Sequence, residues 1–425
     1  MRKNVLLAAL VVVLILSMTA CAPKAQGPVA LRFWTHQNPT FEAAFQAGID
    51  AYQAAHPNVT ITMETFEYST YIQTLQTSMP AKEEADILAM FGTWVCGYAD
   101  RLASAPDNVM TVSQAQDLFY AAPVGGYICD GKLYGMPQEF NIEYGGVLVN
   151  KAMFEAAGRT YPPAWTSMDD VLADGAALVQ TDASGVMTVA GFDFISSDPV
   201  VFSFLAGILQ RGGDYWNADK TGLTFNTPEA KAQLEWMVGV VDAGIVDPVL
   251  FNDSTNWVGT AFFSGQTAMG YIGPWAVSMG TSDYPDFGEF GYFVLPPTSG
   301  TDPIFAADSG WGLSVSPNSA NQDVAWDFVK FLTADPANAM QWNITSSTIP
   351  AIPANAQSAE LANALPWITE ELTQLEYGRY MGYMPDRDAV CYQIIYPHIL
   401  NALQGVETVD EALAAIDAEA NATFQ

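Results

Sequence analysis

The chain has 425 residues, half of them hydrophobic, with 15 basic and 46 acidic residues and a formal net charge of −31. Because single hydrophobic cores stop growing at about 250 to 300 residues, we expect two domains, and the apolar content excludes global disorder. The negative charge repels phosphate backbones and anionic lipid surfaces, which argues against nucleic acid as a partner.

The chain opens with the pattern of an export signal. Two basic residues precede an apolar run, Val5 to Leu16, which is shorter than the roughly 20 residues of a membrane-spanning helix. The stretch SMTAC that follows resembles the lipobox of bacterial lipoproteins. We therefore expect a lipoprotein signal peptide at 1–20, a lipid anchor on Cys21 and a flexible tether at 21–28, with a plain secretory signal as the alternative.

A strand–helix–strand unit follows. Alternating apolar residues in VALRFW and VTITMETF predict two strands, and the segment between them has helical spacing, with Thr40 as the candidate N-cap and Pro57 as the stop. The apolar run ADILAMF suits a further buried strand. This order predicts a βαβ unit in a mostly parallel sheet.

Aromatic and polar residues stand at the predicted carboxyl ends of these strands. Trp34, His36 and Gln37 follow the first strand, and Thr93 and Trp94 follow ADILAMF. Ligands of α/β proteins gather at that edge of the sheet, so these residues are candidates for a cleft.

The middle and the end of the chain predict a second α/β region. EYGGVLVNKAMFEAAG reads as a strand and a helix ending at Gly158, and another helix begins near Thr166 or Ser167. Further helices are predicted in TPEAKAQLEWMVGVVDAG and NQDVAWDFVKFL, and Thr408 with Glu411 forms a capping box for the last helix. Two α/β lobes fit this order.

The cysteines leave their pairing open. Export permits a disulfide between Cys96 and Cys129, with Cys391 left over, but spacing does not establish it. The sequence has no CxxC pair and its histidines are scattered, so we expect no metal and no cofactor.

Five blocks of the sequence occur together in one order between about residue 29 and the C-terminus. They are DGKLYGMPQEFNIEYGGVLVNKAMFEAAG, PPAWTSMDDV, FFSGQTAMGYIGPWAV, FGYFVLPP and SGWGLSVSPNSANQDVAWDFVKFLT. In this order they resemble extracellular solute-binding protein family 1, the carbohydrate receptors of ABC importers, to which maltose-binding protein belongs.

The resemblance implies a two-lobed periplasmic-binding-protein fold of type II. Each lobe would be a mostly parallel sheet flanked by helices, with the ligand cleft between the lobes and closure about a hinge. Three crossovers would fall near 140–144, 292–296 and 341–348. The implied lobes are 29–141 plus 295–341 and 142–294 plus 348–425.

The resemblance also implies binding residues. The tryptophan of the Gly-Pro-Trp block, Trp275, would stack on a sugar ring. The loop after ADILAMF offers Thr93 and Trp94 but no acid or arginine, which argues against maltodextrin as the ligand. Residues after the first strand would also line the cleft: Trp34, His36 and Gln37.

A sugar presents an apolar CH face and a rim of hydroxyls, so its site needs aromatic rings and charged acceptors. Aromatic residues beside Gly or in polar segments, and two nearby carboxylates, are further candidates. Each could instead belong to a core or a local cap. These candidates are Glu139, Trp216, Trp257, Asp308, Trp311 and Tyr383.

We expect a monomeric receptor, anchored at the outer face of a bacterial cytoplasmic membrane, that captures a carbohydrate and delivers it to the transmembrane subunits of an ABC permease without catalysis. One alternative is an extracellular glycoside hydrolase, which needs two carboxylates about 5 to 10 Å apart. Others are the same fold binding a non-sugar solute such as a polyamine, and an anchored adhesion or sensor domain.

Overall fold

The computed structural model describes residues 27–252 and 258–424. The predicted signal peptide, the anchor at Cys21, most of the tether and Trp257 lie outside the described residues. The strands are β1 (Val29–His36), β2 (Val59–Phe66), β3 (Ile87–Phe91), β4 (Ile128–Cys129), β5 (Lys132–Leu133), β6 (Met136–Pro137), β7 (Gly146–Asn150), β8 (Gln180–Thr181), β9 (Met187–Val189), β10 (Met269–Tyr271), β11 (Phe290–Val294), β12 (Phe305–Ala307), β13 (Trp311–Val315) and β14 (Gly378–Tyr380).

Helices connect and cover these strands. The α-helices are α1 (Pro39–Ala55), α2 (Tyr68–Ala81), α3 (Gly92–Val95), α4 (Val112–Leu118), α5 (Ala121–Gly125), α6 (Lys151–Ala156), α7 (Met168–Leu178), α8 (Ser197–Gln210), α9 (Pro228–Asp242), α10 (Gly259–Phe263), α11 (Trp275–Asp283), α12 (Gln322–Thr333), α13 (Pro336–Ser346), α14 (Pro353–Ala356), α15 (Ala359–Ala364), α16 (Tyr396–Leu403) and α17 (Val409–Ala422). Short 3₁₀ segments span Cys96–Arg101, Pro366–Ile368 and Glu371–Tyr377, and a π-helical segment spans Ala389–Ile395.

The larger sheet has the strand order β2-β1-β3-β13-β6. β1 is parallel to β2 and to β3, as the βαβ pattern predicts, but β13 is antiparallel to both β3 and β6. The prediction of a mostly parallel sheet is therefore wrong for this half, which is mixed. β13 joins the sheet after a long excursion of the chain, so no crossover helix sets its direction.

The N-cap of helix α1 lies two residues earlier than predicted. Asn38, not Thr40, is the N-cap: its side-chain oxygen accepts hydrogen bonds from the backbone N–H groups of Thr40, at 3.1 Å, and Phe41, at 3.3 Å. Pro39 occupies the first helical position, where its missing N–H costs nothing. The predicted caps elsewhere are confirmed: Ser167 caps α7, and the Thr408 capping box opens α17.

The smaller central sheet, β10-β7-β11, is antiparallel throughout. This contradicts the prediction of a mostly parallel second sheet. All the helices from α6 to α10 lie between β7 and β10 in the chain, so no single crossover helix returns the chain in the same direction.

Two large hydrophobic cores form. One surrounds the larger sheet and includes Phe33, Tyr71 and Trp326, and the other surrounds β7 and the helices α8, α9 and α17. The strand β12 pairs with β14 and its side chains pack in the second core. The exact lobe boundaries stay a prediction.

A disulfide joins Cys96 to Cys129, with the Cα atoms 5.5 Å apart. It ties the 3₁₀ segment after α3 to β4. Cys391 is buried as a free thiol. Within the described ranges no helix is both long and apolar enough to cross a membrane.

Candidate functional site

A cavity of about 700 Å³ collects residues from both cores. His36, the last residue of β1, and Phe91, the last residue of β3, lie in its lining, as expected for the carboxyl ends of parallel strands. The predicted site residues that it brings together are His36, Gln37, Glu139, Trp275, Asp308 and Trp311.

One side of the cavity, which we call the first wall, consists of His36, Glu139 and Trp311. The Trp311 indole is 8% exposed and stacks on the His36 imidazole, with ring centroids 4.1 Å apart and an interplanar angle of 24°. Phe91 and Trp94 meet the same indole edge-on, at 5.4 and 5.3 Å. Its orientation is therefore set by surrounding rings, in the geometries that aromatic quadrupoles favour.

Glu139 is hydrogen-bonded to its neighbour within the first wall. Its Oε1 accepts a hydrogen bond from the backbone N–H of Trp311 at 3.2 Å. The preceding Gly310 has φ +140°, and a Cβ there would lie 2.6 Å from the carbonyl oxygen of Glu139. Glycine is therefore required where the two segments cross.

A second group of lining residues, which we call the second wall, consists of Asn141, Glu143 and Trp275. Trp275 is the first residue of α11, directly after the Gly273–Pro274 pair, and its indole N–H donates to Glu143 Oε2 at 2.8 Å. The amide of Asn141 donates to Glu143 Oε1 at 2.7 Å. A Cβ on Gly273 would lie 2.6 Å from the indole nitrogen, so the glycine lets the ring fold back against its own turn.

A chain of charged and hydroxyl groups closes the end of the cavity. Arg387 donates through Nε to Asp308 Oδ1 at 3.1 Å, and its Nη2 contacts Asp308 Oδ2. Its Nη1 donates to the Tyr392 hydroxyl at 2.6 Å and to Asp388 Oδ1 at 2.9 Å. The Tyr392 hydroxyl in turn donates to Asp198 Oδ1 at 2.5 Å. Such charge-assisted bonds are stronger than neutral ones and fix the geometry of this end.

Burial shifts the proton affinities of these groups. It raises the pKa of Glu139 to about 7 and lowers the pKa of His36 to about 4, so the imidazole is neutral. Burial, with the nearby charge of Asp198, also raises the pKa of Glu143 well above its ordinary value. For Asp308, burial raises the pKa and the guanidinium of Arg387 lowers it, with a net increase.

Other predicted site residues lie elsewhere. Trp34 is 5% exposed, and its indole N–H donates to Glu64 on β2 at 2.9 Å. The Trp216 indole N–H donates to the carbonyl of Met381 at 2.8 Å. A separate cavity of about 300 Å³ has Thr93, Trp94 and Tyr383 in its lining and shares Arg387 and Asp388 with the larger one. Ligand contact by these residues stays a prediction.

Sequence reasoning missed several lining residues. Glu143 and Asn141 line the cavity and lie in the segment expected to form the first crossover. Their place in that segment could have identified them as candidates. Arg387 follows Tyr383 in the segment GYMPDRD, and Tyr392 comes five residues later. Nothing local distinguishes Asp198 at the start of α8. Within 27–252 and 258–424, no group of three or more His, Cys, Asp or Glu residues is placed to hold a metal ion.

The chain resembles known proteins in sequence and in structure. The profile of the bacterial extracellular solute-binding protein family matches residues 38–339. The chain belongs to this family. Family membership makes it an exported binding protein with the two-lobed fold.

Solved structures resemble the chain over nearly its whole length. The cyclic alpha-maltosyl-1,6-maltose binding protein from Arthrobacter globiformis is similar at 25% identity and a TM-score of 0.74, covering 94% of this chain and 99% of that one. An ABC substrate-binding protein from Listeria monocytogenes in complex with cycloalternan is similar at 22% identity and a TM-score of 0.74, covering 93% and 99%. The second likeness shows the fold alone.

A binding protein from Brucella abortus (strain 2308) also resembles the chain in sequence. It is 24% identical over 284 residues, which are 66% of this chain and 66% of that protein. The match therefore spans just under two thirds of the relative's length.

Proposed function

We propose that the protein captures a carbohydrate, an oligosaccharide or glycoside, in the 700 Å³ cavity and delivers it to an ABC permease. The observation that carries this proposal is the pair of indoles, Trp275 and Trp311, in one cavity whose remaining lining is rich in carboxyl, amide and hydroxyl groups. Flat rings match the CH face of a pyranose, and polar groups match its hydroxyls.

The volume of the cavity and the hydrogen bonds within its walls are typical of a preformed pocket for a small ligand. Pockets for such ligands have volumes of about 300 to 1,000 Å³ and combine apolar walls with a few placed polar groups. Glu139 on the first wall and Glu143 on the second are held by hydrogen bonds within the protein, so these carboxyl groups are in place before a ligand enters. The two solved relatives named with cyclic oligosaccharides agree with a sugar ligand.

We propose that the two lobes close on the ligand about their crossovers. Asn141 and Glu143 belong to the first predicted crossover and Ser346, Ser347 and Thr348 to the third, and all five line the cavity. Ligand contact would therefore act directly on the segments that link the lobes. The lipid anchor at Cys21 would keep the receptor beside its permease, and no bond in the ligand would be broken.

A basic non-sugar solute is the second candidate, because carboxyl groups outnumber basic groups in the cavity lining. Alkyl polyamines carry donors and methylene groups but few acceptors. They would leave the amide donor of Asn141 and the lining hydroxyls with few partners, which favours a sugar.

Calorimetry on the purified chain without its signal peptide tests the proposal. Neutral mono-, di- and oligosaccharides are titrated beside putrescine and spermidine, and chromogenic glycosides are incubated with the protein. We expect a saturable sugar signal and no released chromophore. The absence of binding to every sugar would overturn the proposal. Binding of polyamines alone would favour the second candidate. Release of the chromophore would show that the protein is a hydrolase.

A further inference from the structure

The first predicted crossover is followed by a glycine in a conformation that other residues rarely adopt. Gly145 has φ +106°, which glycine reaches without steric cost. Its carbonyl oxygen accepts a hydrogen bond from the backbone N–H of Leu295, in the second predicted crossover, at 2.6 Å. Hinge residues are those that absorb changes in φ and ψ. Gly145 is therefore placed to act as a hinge residue where two crossovers meet.

Two side chains of the 3₁₀ segment Glu371–Tyr377 pack against this glycine. A Cβ on Gly145 would lie 2.5 Å from Gln374 Oε1 and 3.4 Å from Glu371 Oε1, so both side chains end at the same point. Glu371 is completely buried, and Gln374 is 3% exposed. A movement of the crossover at Gly145 would therefore change the surroundings of a buried carboxyl group.

The carboxyl group of Glu371 lies in a site that suits its neutral form. Among the described residues, neither oxygen of Glu371 has a hydrogen-bond partner, and the same is true of Gln374 Oε1. A carboxylate without donors or a cation is costly to bury, whereas a protonated carboxyl group has no charge and brings a donor of its own. The contacts at Gly145 therefore favour the protonated group.

The pKa of Glu371 agrees with these contacts. Burial raises this pKa to about 8, and the nearby charge of Glu370 adds to the increase. The titratable groups that face Glu371 from other elements are Tyr144, Tyr271 on β10 and Tyr292 on β11. Burial raises the pKa of Tyr144 to about 12 and the pKa of the other two well above the ordinary value, so all three phenols stay neutral below pH 8. Among these four buried groups, Glu371 is the one whose charge would change with exposure between pH 4.5 and 8.

We propose that Glu371 makes a proton-dependent contact at the hinge. Its neutral carboxyl group packs against Gly145 and stabilises the conformation in which both walls line one cavity. When the crossover moves and water reaches the carboxyl group, that group loses its proton near neutral pH. Rising pH therefore favours movement at the hinge, because the proton binds the described conformation more tightly than the opened one. The inference rests on the closure about the crossovers proposed above.

Hydrogen exchange of the Leu295 amide tests this contact without a ligand. The purified chain without its signal peptide is followed by NMR at pH 5.5, 6.5 and 7.5, and each exchange rate is divided by the chemical exchange rate at that pH. Between an ordinary pKa of 4.5 and a buried pKa of about 8, each pH unit shifts the equilibrium by up to about tenfold. We expect opening at Leu295 to increase at least tenfold from pH 5.5 to 7.5. A change below threefold would overturn the inference.

Variants that cannot ionise assign the effect to Glu371. In Glu371→Gln, opening at Leu295 should change by less than threefold over the same range, and Glu371→Met gives the same comparison if the glutamine variant does not fold. The comparison is needed because other buried carboxyl groups titrate in this range, such as Glu139 with a pKa of about 7. Glu376→Gln is the matched control, because it removes a charge from an exposed position of the same 3₁₀ segment and should keep the wild-type dependence.

A second amide separates hinge movement from global unfolding. The backbone N–H of Ser316 donates to the carbonyl oxygen of Asp86 beside the larger sheet, at 2.9 Å. Movement at the hinge requires Leu295 to exchange faster than Ser316 at every pH. Equal rates, or a tenfold change retained in Glu371→Gln, would overturn the inference.

The sugar calorimetry described above tests the proposed function separately. If sugars bind while opening at Leu295 is independent of pH, the inference fails and the carbohydrate receptor stands. If opening at Leu295 depends on pH as expected but no sugar binds, the proposed function fails and the proton-dependent hinge stands.

Discussion

The two walls of the cavity hold their tryptophans by different means. On the first wall, rings fix Trp311: His36 stacks on it at 4.1 Å, and Phe91 and Trp94 meet it edge-on. On the second wall, the Trp275 indole N–H donates to the carboxyl group of Glu143 at 2.8 Å. One indole is an extension of a hydrophobic core, and the other is a half-buried ring at the start of a helix. Truncation on the first wall should therefore cost more stability than truncation on the second.

Truncation of Trp311 should have the largest effect on stability. Trp311→Ala removes a nearly buried indole from the core of the larger sheet and should lower the free energy of unfolding by about 3 to 5 kcal/mol. Trp275→Ala, at a half-buried position, should lower it by about 1 to 2 kcal/mol. Denaturant unfolding of the two variants measures both values. Equal losses would contradict the distinction between the walls.

The first wall also contains two groups whose protonation acts on stability in opposite directions. Glu139 has its pKa raised to about 7, so the folded state retains a proton that the unfolded state releases above pH 4.5. Its contribution to the free energy of unfolding therefore falls as pH rises from 4.5 to 7. His36 has its pKa lowered to about 4, so its contribution rises as pH increases from 4 to 6.5.

The two pH dependences of the free energy of unfolding should offset each other between pH 4.5 and 6.5. Removing one group should therefore expose the pH dependence that the other contributes. Relative to wild type, Glu139→Gln should gain stability as pH rises through this window, and His36→Gln should lose it. At about 1.4 kcal/mol per pH unit, each change should reach roughly 3 kcal/mol across the two units. Unfolding curves at pH 4.5, 5.5 and 6.5 measure them. If the free energy of unfolding of the two variants changed with pH in the same way, the pKa shifts of Glu139 and His36 would be contradicted.

Local patterns were sufficient for the elements that place His36 in the first wall. Alternation and helical spacing predicted β1, α1 and β2, and an apolar run predicted β3. The parallel pairing of β1 with β2 and β3 placed His36 and Gln37 at the correct edge of the sheet. The same register places Trp34 opposite Glu64, which explains why that indole bonds to the neighbouring strand instead of lining the cavity.

The charged end of the cavity could not be predicted in this way. Asp308 meets Arg387 from 79 positions away, and Tyr392 meets Asp198 from 194 positions away. Such contacts depend on how the whole chain returns to the cleft, and no local spacing encodes them. The antiparallel directions of β10, β11 and β13 escaped prediction for the same reason, because long excursions precede these strands. Trp275 was predicted from a motif and not from periodicity.

On the second wall, truncation should act on binding. If the cavity binds a sugar as proposed, Trp275→Ala should weaken the affinity about 10- to 100-fold, since burial of a large apolar side chain contributes about 1.5 to 3 kcal/mol. Trp165→Ala is a matched control, because that half-buried indole also donates to a carboxylate, Asp174, but lies outside the cavity. Calorimetry on both variants should show less than a twofold change for the control. A similar loss in both would mean that Trp275 acts through folding.

The smallest effect should come from the carboxyl group behind the second indole. Glu143→Ala removes the acceptor that orients the Trp275 ring, whereas Glu143→Gln keeps a carbonyl oxygen for the same N–H bond. One hydrogen bond contributes about 0.5 to 1.5 kcal/mol net, so for a neutral sugar the alanine variant should bind about tenfold more weakly and the glutamine variant about threefold. Tryptophan emission should shift in the alanine variant, because the ring loses its fixed partner. If alanine and glutamine weaken binding equally, Glu143 contacts the sugar itself, and the second wall holds its indole by packing as the first wall does.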